Sequence, residues 1–196
     1  EAKAGTSITY GIVQAGPHID NGVPYIKTGD MSGDALPKSG YSRTSKTIDE
    51  AYSRSKVFAG DIVIAIRATL GKCLLLPAEI DGANLTQGTA KFSPNANILN
   101  LYALSFLSCT QVQNYIDSVS KGATFREITL DGLRRVPMLR PPLEEQKSIA
   151  TFLELKKDRF ATLIAHAQSA ITLIKERRTA LISAAVTGKI DVRDWR

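Results

Sequence analysis

Asp131, followed downstream by Glu145 and Lys147 two residues apart, has the acid-then-Glu-x-Lys order with which many nucleases hold a divalent metal. Glu145 and Lys147 stand directly after the proline pair Pro141-Pro142, where a helix begins, and carboxylates in a first helical turn are accounted for by the helix dipole. The order therefore carries no metal site. Gly71-Lys72 lacks the upstream glycine of a phosphate loop and leads into an apolar run, as a hairpin turn does. No serine sits on a nucleophile elbow, His18 follows Pro17 in a loop, and His166 lies among Ala165, Ala167 and Gln168 in a helical stretch, so neither histidine has an acid–base companion. Cys73 and Cys109 each stand alone in apolar surroundings and read as buried free thiols, which suits a reducing cytoplasm; with two histidines they cannot make a structural zinc set. The Pro-Pro-aromatic element that holds a flipped base for adenine methylation is also missing.

What remains is chemistry of contact. Lys27, Thr28 and Asp30 follow an apolar run; Arg67, Thr69 and Lys72 flank the hairpin turn; Asn84, Thr86 and Gln87 form a polar loop; Lys121, Thr124 and Arg126 occupy a Gly-containing loop. Arg, Lys, Asn and Gln are the side chains that can reach base edges in pairs of hydrogen bonds or anchor phosphates, and these twelve are candidate contacts, read as the DNA face on the family resemblance given below. Arg43, Lys46 and Arg54 are further phosphate candidates. The chain has 25 Lys and Arg against 19 Asp and Glu, a net +6, which favours a polyanion without demanding one. The excess is shared equally between residues 1–142 and 143–196, so neither part is a basic tail. Tyr25, Tyr41, Tyr52 and Phe92 are expected to pack in or at the edge of the core.

These loops need a frame. Short apolar runs between glycines at Ile8–Val13, Val23–Ile26, Asp61–Ile66, Lys72–Leu76 and Thr89–Phe92 predict strands. A short helix is predicted near Ile48–Ser53, and a longer one over Ile98–Val119, where Leu101, Leu104, Ser105, Ser108 and Val112 repeat at helical spacing. The expected class is α+β: a strand-rich, mixed globular unit over residues 1–140, followed over 141–196 by one long projecting coiled-coil helix and a tail. Residues 143–185 hold neither Gly nor Pro, and one helix of that length spans roughly 65 Å. Its seam, Leu153, Phe160, Ile164, Ala167, Ile171, Ile174, Leu181 and Ala185, advances in heptad steps of four and three, and Gly188 follows its end. Such a stripe cannot be buried by the helix that bears it, so a partner helix is expected. No run is long and apolar enough to span a membrane.

Three strings read together, Pro141-Pro142-Leu143-Glu144-Glu145-Gln146-Lys147-Ser148-Ile149-Ala150, Ile174-Lys175-Glu176-Arg177-Arg178-Thr179-Ala180-Leu181-Ile182 and Val186-Thr187-Gly188-Lys189-Ile190-Asp191-Val192-Arg193, closely resemble the conserved region of specificity subunits of type I restriction-modification systems. Residues 22–31, Tyr52-Ser53-Arg54-Ser55, Gly60–Ile64 and Asn84–Gly88 resemble a target recognition domain of that family. The resemblance covers nearly the whole chain. It implies a DNA-reading component without catalysis or cofactor of its own, with S-adenosylmethionine and ATP with magnesium on the methylation and restriction subunits that are its partners. Family members carry two recognition domains, each reading half of a split site, held apart by two antiparallel helices; this sequence has one of each. With one of each it is expected to be half of such a subunit: either the C-terminal half of a longer protein, as its Thr187–Arg193 ending and its start at Glu1 rather than Met suit, or a short form in which two copies pair through antiparallel long helices. The competing expectation is an assembly scaffold that uses the long helix and has blunted DNA recognition.

Overall fold

The computed structural model describes residues 2–4, 6–122 and 126–193. These divide into two compact units, one up to Ala150 and one from Thr151 on. In the first, β1 (Val23–Ile26) runs antiparallel to β2 (Arg43–Thr44) and parallel to β5 (Asn84–Leu85), with Tyr25 opposite Asn84 and Ile26 opposite Leu85. A second three-stranded sheet places β3 (Ile62–Ala65) between β4 (Cys73–Leu75) and β6 (Thr89–Phe92), all antiparallel.

β3 explains its own composition. Every residue in it is buried, and its two faces serve different cores. Ile62 and Ile64, with Ile66 just beyond, join Phe92, Ile98, Tyr102, Leu107, Val112, Ile116, Ile128 and Leu133 in one cluster; Val63 and Ala65 join Ile26, Met31, Leu36, Val57, Leu74, Leu76 and Leu85 in the other. A strand covered on both faces reads as an unbroken apolar run instead of an alternating one. Burying each large aliphatic side chain contributes about 1.5–3 kcal/mol, so β3 is the centre of the unit's stability.

The helices that follow β6 pack on the first cluster, to which the short helix before β3 contributes no residue. α1 (Lys46–Ala51) starts at Ser45, whose hydroxyl accepts from the Ile48 N–H at 3.2 Å. The stretch expected as one helix over Ile98–Val119 is two, α2 (Asn100–Leu107) and α3 (Thr110–Val119). Cys109 is extended (φ −72°, ψ 151°) and breaks the ladder, and the Gln113 side chain covers the exposed end by donating to the Leu107 carbonyl at 2.7 Å. α4 (Leu130–Arg134), not anticipated, is capped by the Thr129 hydroxyl, which accepts from Gly132 N–H. Ile8–Val13, expected as a strand, makes only two isolated bridges, Tyr10 to Ala90 and Ile12 to Thr86. It runs so close to β5 that a Cβ on Gly11 would lie 1.9 Å from the Leu85 carbonyl oxygen.

α5 (Leu143–Val186) is one unbroken helix. Its first two turns belong to the first unit, where Gln146 and Ala150 are buried and Ile149 packs on the core. Beyond them the seam is open: Phe160, Ile164, Ala167, Ile171, Ile174 and Leu181 are exposed, Leu153 and Ala185 half-buried. Gly188 (φ 73°) follows the end, where Lys189 and Ile190 N–H both donate to the Ala184 carbonyl. No helix among the described residues is long and apolar enough to cross a membrane.

Cys73 is buried in β4, and burial pushes its thiol up to about 12, leaving on the order of one thiolate in ten thousand at pH 8. Titration of the native chain with a disulfide dye at pH 8 should therefore count at most the half-buried Cys109, with the second thiol appearing only in denaturant. Two fast thiols would contradict the placement of β4.

Candidate nucleic-acid interface

Four loops meet at one edge of the first unit because main-chain hydrogen bonds tie the strand ends together. The Ile26 carbonyl, at the end of β1, accepts from both the N–H and the hydroxyl of Thr86 at 3.1 Å. The Gly88 carbonyl accepts from the Ile66 N–H at 3.0 Å, and the Ile66 carbonyl accepts in turn from the Ile128 N–H at 3.2 Å. The loop after β1, the β5–β6 turn, the β3–β4 turn and the α3–α4 loop thus follow one another along this edge. A Cβ on Gly88 would lie 3.0 Å from Thr28 Cγ2, so a side chain there would press on the loop after β1.

Within this edge Lys27 is exposed, its Nζ 2.9 Å from Ser42 Oγ and 5.9 Å from the centre of the Tyr25 ring. Its N–H donates to Asp30 Oδ2 at 2.8 Å, so Asp30 shapes the short 3₁₀ turn Thr28–Met31. Lys72 Nζ donates to the Ser32 carbonyl at 2.9 Å and braces that turn from the β3–β4 side. Arg67 is half-exposed, with Nε 3.0 Å from Glu127 Oε2, and Glu127 also exchanges main-chain bonds with exposed Lys121. Next to Arg67, Ala68 adopts φ 58°, a left-handed conformation that costs a residue with a Cβ about 1–2 kcal/mol. Thr69, the next residue, is exposed. Gln87 is exposed, and its N–H donates to the Ile12 carbonyl at 3.0 Å.

Other expected contacts lie elsewhere. Asn84 is not in a polar loop: it is strand β5 and fully buried. Its Oδ1 accepts from Ser55 Oγ at 2.6 Å and Leu85 N–H at 2.8 Å, and its Nδ2 donates to Asp49 Oδ1 at 2.9 Å, so its hydrogen-bonding groups are consumed inside the fold. Arg126 is exposed but turned onto the end of α3, where it meets the Asp117 carbonyl and carboxylate and Ser120 Oγ. There it neutralises the negative end of the helix dipole. Thr124 lies outside the described residues. Of the phosphate candidates, Arg43 donates from Nη1 to the Gly22 carbonyl at 2.9 Å and pairs with Pro24, at the opposite end of β1 from Ile26. Lys46 opens α1 and Arg54 lies in the following 3₁₀ turn, both exposed and neither hydrogen-bonded to the four-loop edge among the described residues. Tyr41 and Phe92 are buried and Tyr25 and Tyr52 half-buried, as core or edge residues. Asp131, the acid of the nuclease-like order, is ion-paired with Arg135 one turn on at 3.0 Å.

Glu127 is not among the residues expected at this edge. A lone glutamate after an arginine carries no signal of its own; its place opposite Arg67 follows from the bridge joining two distant loops.

The family model described as type I restriction modification DNA specificity domain matches residues 12–172. The chain belongs to this family. Among curated members of the type I specificity family, the EcoBI specificity subunit of Escherichia coli is 24% identical over 190 residues, covering 96% of this chain and 40% of that protein. The putative MjaX specificity subunit of Methanocaldococcus jannaschii is 26% identical over 175 residues, 88% of this chain and 37% of that protein. The chain thus spans about 40% of the length of the EcoBI specificity subunit. Solved type I specificity structures share the fold. A chain from work on complex assembly and conformational transition of the type I R-M system superposes with TM-score 0.73 at 22% identity, over 91% of this chain and 42% of that one. The HsdS subunit of Thermoanaerobacter tengcongensis gives 0.57 at 24% identity, over 80% and 36% respectively.

Proposed function

We propose that this chain is the DNA-reading half of a type I specificity subunit. Residues 1–140 read one half of a split duplex target through the four-loop edge, and residues 141–196 are the spacer on which methylation and restriction subunits assemble, in the cytoplasm. The chain contributes no catalysis and no cofactor; methyl donor and ATP chemistry belong to its partners. The observation that carries this reading is the stitched edge itself: Arg67, Gln87, Lys121, Lys27 and Thr69 gathered from loops far apart in sequence, in a member of the DNA specificity family. Side chains of these types form hydrogen-bond pairs with guanine and adenine edges in the major groove and salt-sensitive contacts with phosphates. The open seam of α5 supports a second helix alongside it, supplied antiparallel by another copy or by the other half of a longer subunit.

The test is co-expression with the methylation subunit of the same genome, followed by single-molecule mapping of methylated adenines. A split motif is the expected result, palindromic if two copies pair. A complex that assembles and leaves no site-specific mark would overturn the reading in favour of a scaffold.

A further inference from the structure

Gln146 has no exposure at all, although it lies in the first turn of a helix whose neighbouring residues face solvent. Its side chain is committed wholly to main chain. Oε1 accepts from the Leu99 N–H at 2.9 Å, and Nε2 donates to the carbonyls of Asn97 at 2.9 Å and Pro141 at 2.8 Å. One amide therefore joins three segments: the entry to α2, the proline pair before α5, and α5 itself. The same root is held by the Tyr102 hydroxyl, which donates to the Leu139 carbonyl at 3.0 Å, and by Ile149 and Ala150 packed one turn on.

The residues beside Gln146 make this seat exclusive. Slipping α5 by one residue turns it by about 100° and moves it about 1.5 Å, which brings Glu145 or Lys147 to the buried slot. Neither serves there. A carboxylate has no N–H for the two carbonyls, an ammonium has no acceptor for the Leu99 N–H, and each would bring an unpaired charge into a dry site. The geometry points to Gln146 as a positioning residue that seats the root of α5 in a single register on the recognition unit. Resting on the reading under Proposed function, it thereby sets one spacing between the half-site this unit reads and the other half-site.

The experiment compares the full chain with Q146A and Q146E, alone and co-expressed with the methylation subunit. Hydrogen exchange read by mass spectrometry or NMR should show the Leu99 amide opening about tenfold faster in Q146A, with β3 amides unchanged. The mapped motif should keep its half-site bases while its spacer spreads from one length to two or more. Q146E loses both donors and buries a charge, so it should also broaden the spacer at a larger loss of stability than Q146A; if Q146A does not fold, exchange and spacer are read on Q146M, which fills the seat without a charge. Unchanged exchange throughout Q146A overturns the clamp. Faster exchange with a spacer of one length overturns the positioning role. If the parent chain directs no split motif, the functional reading fails, and the clamp is judged on exchange alone.

Discussion

Alanine at Arg67, Gln87 and Lys121 together is expected to lower site-specific modification by roughly 10²–10⁴-fold while leaving the assembled complex intact. A bidentate base contact discriminates by about 1–3 kcal/mol, and the three side chains proposed to make contacts come from different loops of one edge. The fold should barely notice. Gln87 and Lys121 are exposed, and the half-exposed Arg67–Glu127 pair at 3.0 Å contributes under about 1 kcal/mol once solvent screening is counted. The melting temperature should move by no more than a few degrees. Arg126 is left in place because it holds the end of α3, so its loss would confuse recognition with folding. Salt titration of the single variants then sorts the roles: a phosphate anchor lowers the slope of log K against log salt by about one, whereas a base reader lowers affinity for the cognate sequence alone. Undiminished modification by the triple variant would mean that the reading surface lies elsewhere.

Asn84→Ala should behave oppositely, costing about 3 kcal/mol of stability, on the order of 10 °C in Tm, with modification falling only as the folded fraction falls. The truncation strands the Leu85 N–H and removes a partner from Ser55 Oγ and Asp49 Oδ1, all in the buried network that ties β5 to α1 and the turn after it. Asp49 keeps Lys56 at 2.6 Å, so the network is weakened and not abolished. Thermal melting by circular dichroism, set beside modification measured well below the transition, separates the cases. A variant that melts like the parent yet fails to direct methylation would return Asn84 to the reading surface.

The contrast between these two sites shows what a lone sequence discloses. α5 was legible because dozens of residues without Gly or Pro repeat one apolar pattern, and β1, β3, β4 and β6 because short apolar runs stand between turn residues. β2 and β5, two residues each, were not: Asn84 has the composition of a turn, and only pairing with Tyr25 on β1 makes it a strand. The break at Cys109 was masked because Ser108 and Cys109 continue the helical spacing, while the side chain that closes α2 comes from Gln113 beyond the break. Polar loops announce themselves by composition, so the loop placement of Lys27, Arg67, Gln87 and Lys121 was legible. Burial of a polar side chain does not, and Asn84 and Gln146 are of the same residue types as the exposed loop residues.

The stitching of the edge has a consequence for how such a protein changes over generations. Ile26 to Thr86, Gly88 to Ile66 and Ile66 to Ile128 are joined through peptide groups, which every residue except proline brings to a strand end. The frame is therefore largely indifferent to the letters at positions 27, 67, 69, 87 and 121. A lineage can rewrite those letters one at a time and remain folded at every step, so under the proposed reading a new target is reachable by drift and selection without rebuilding the protein that bears it.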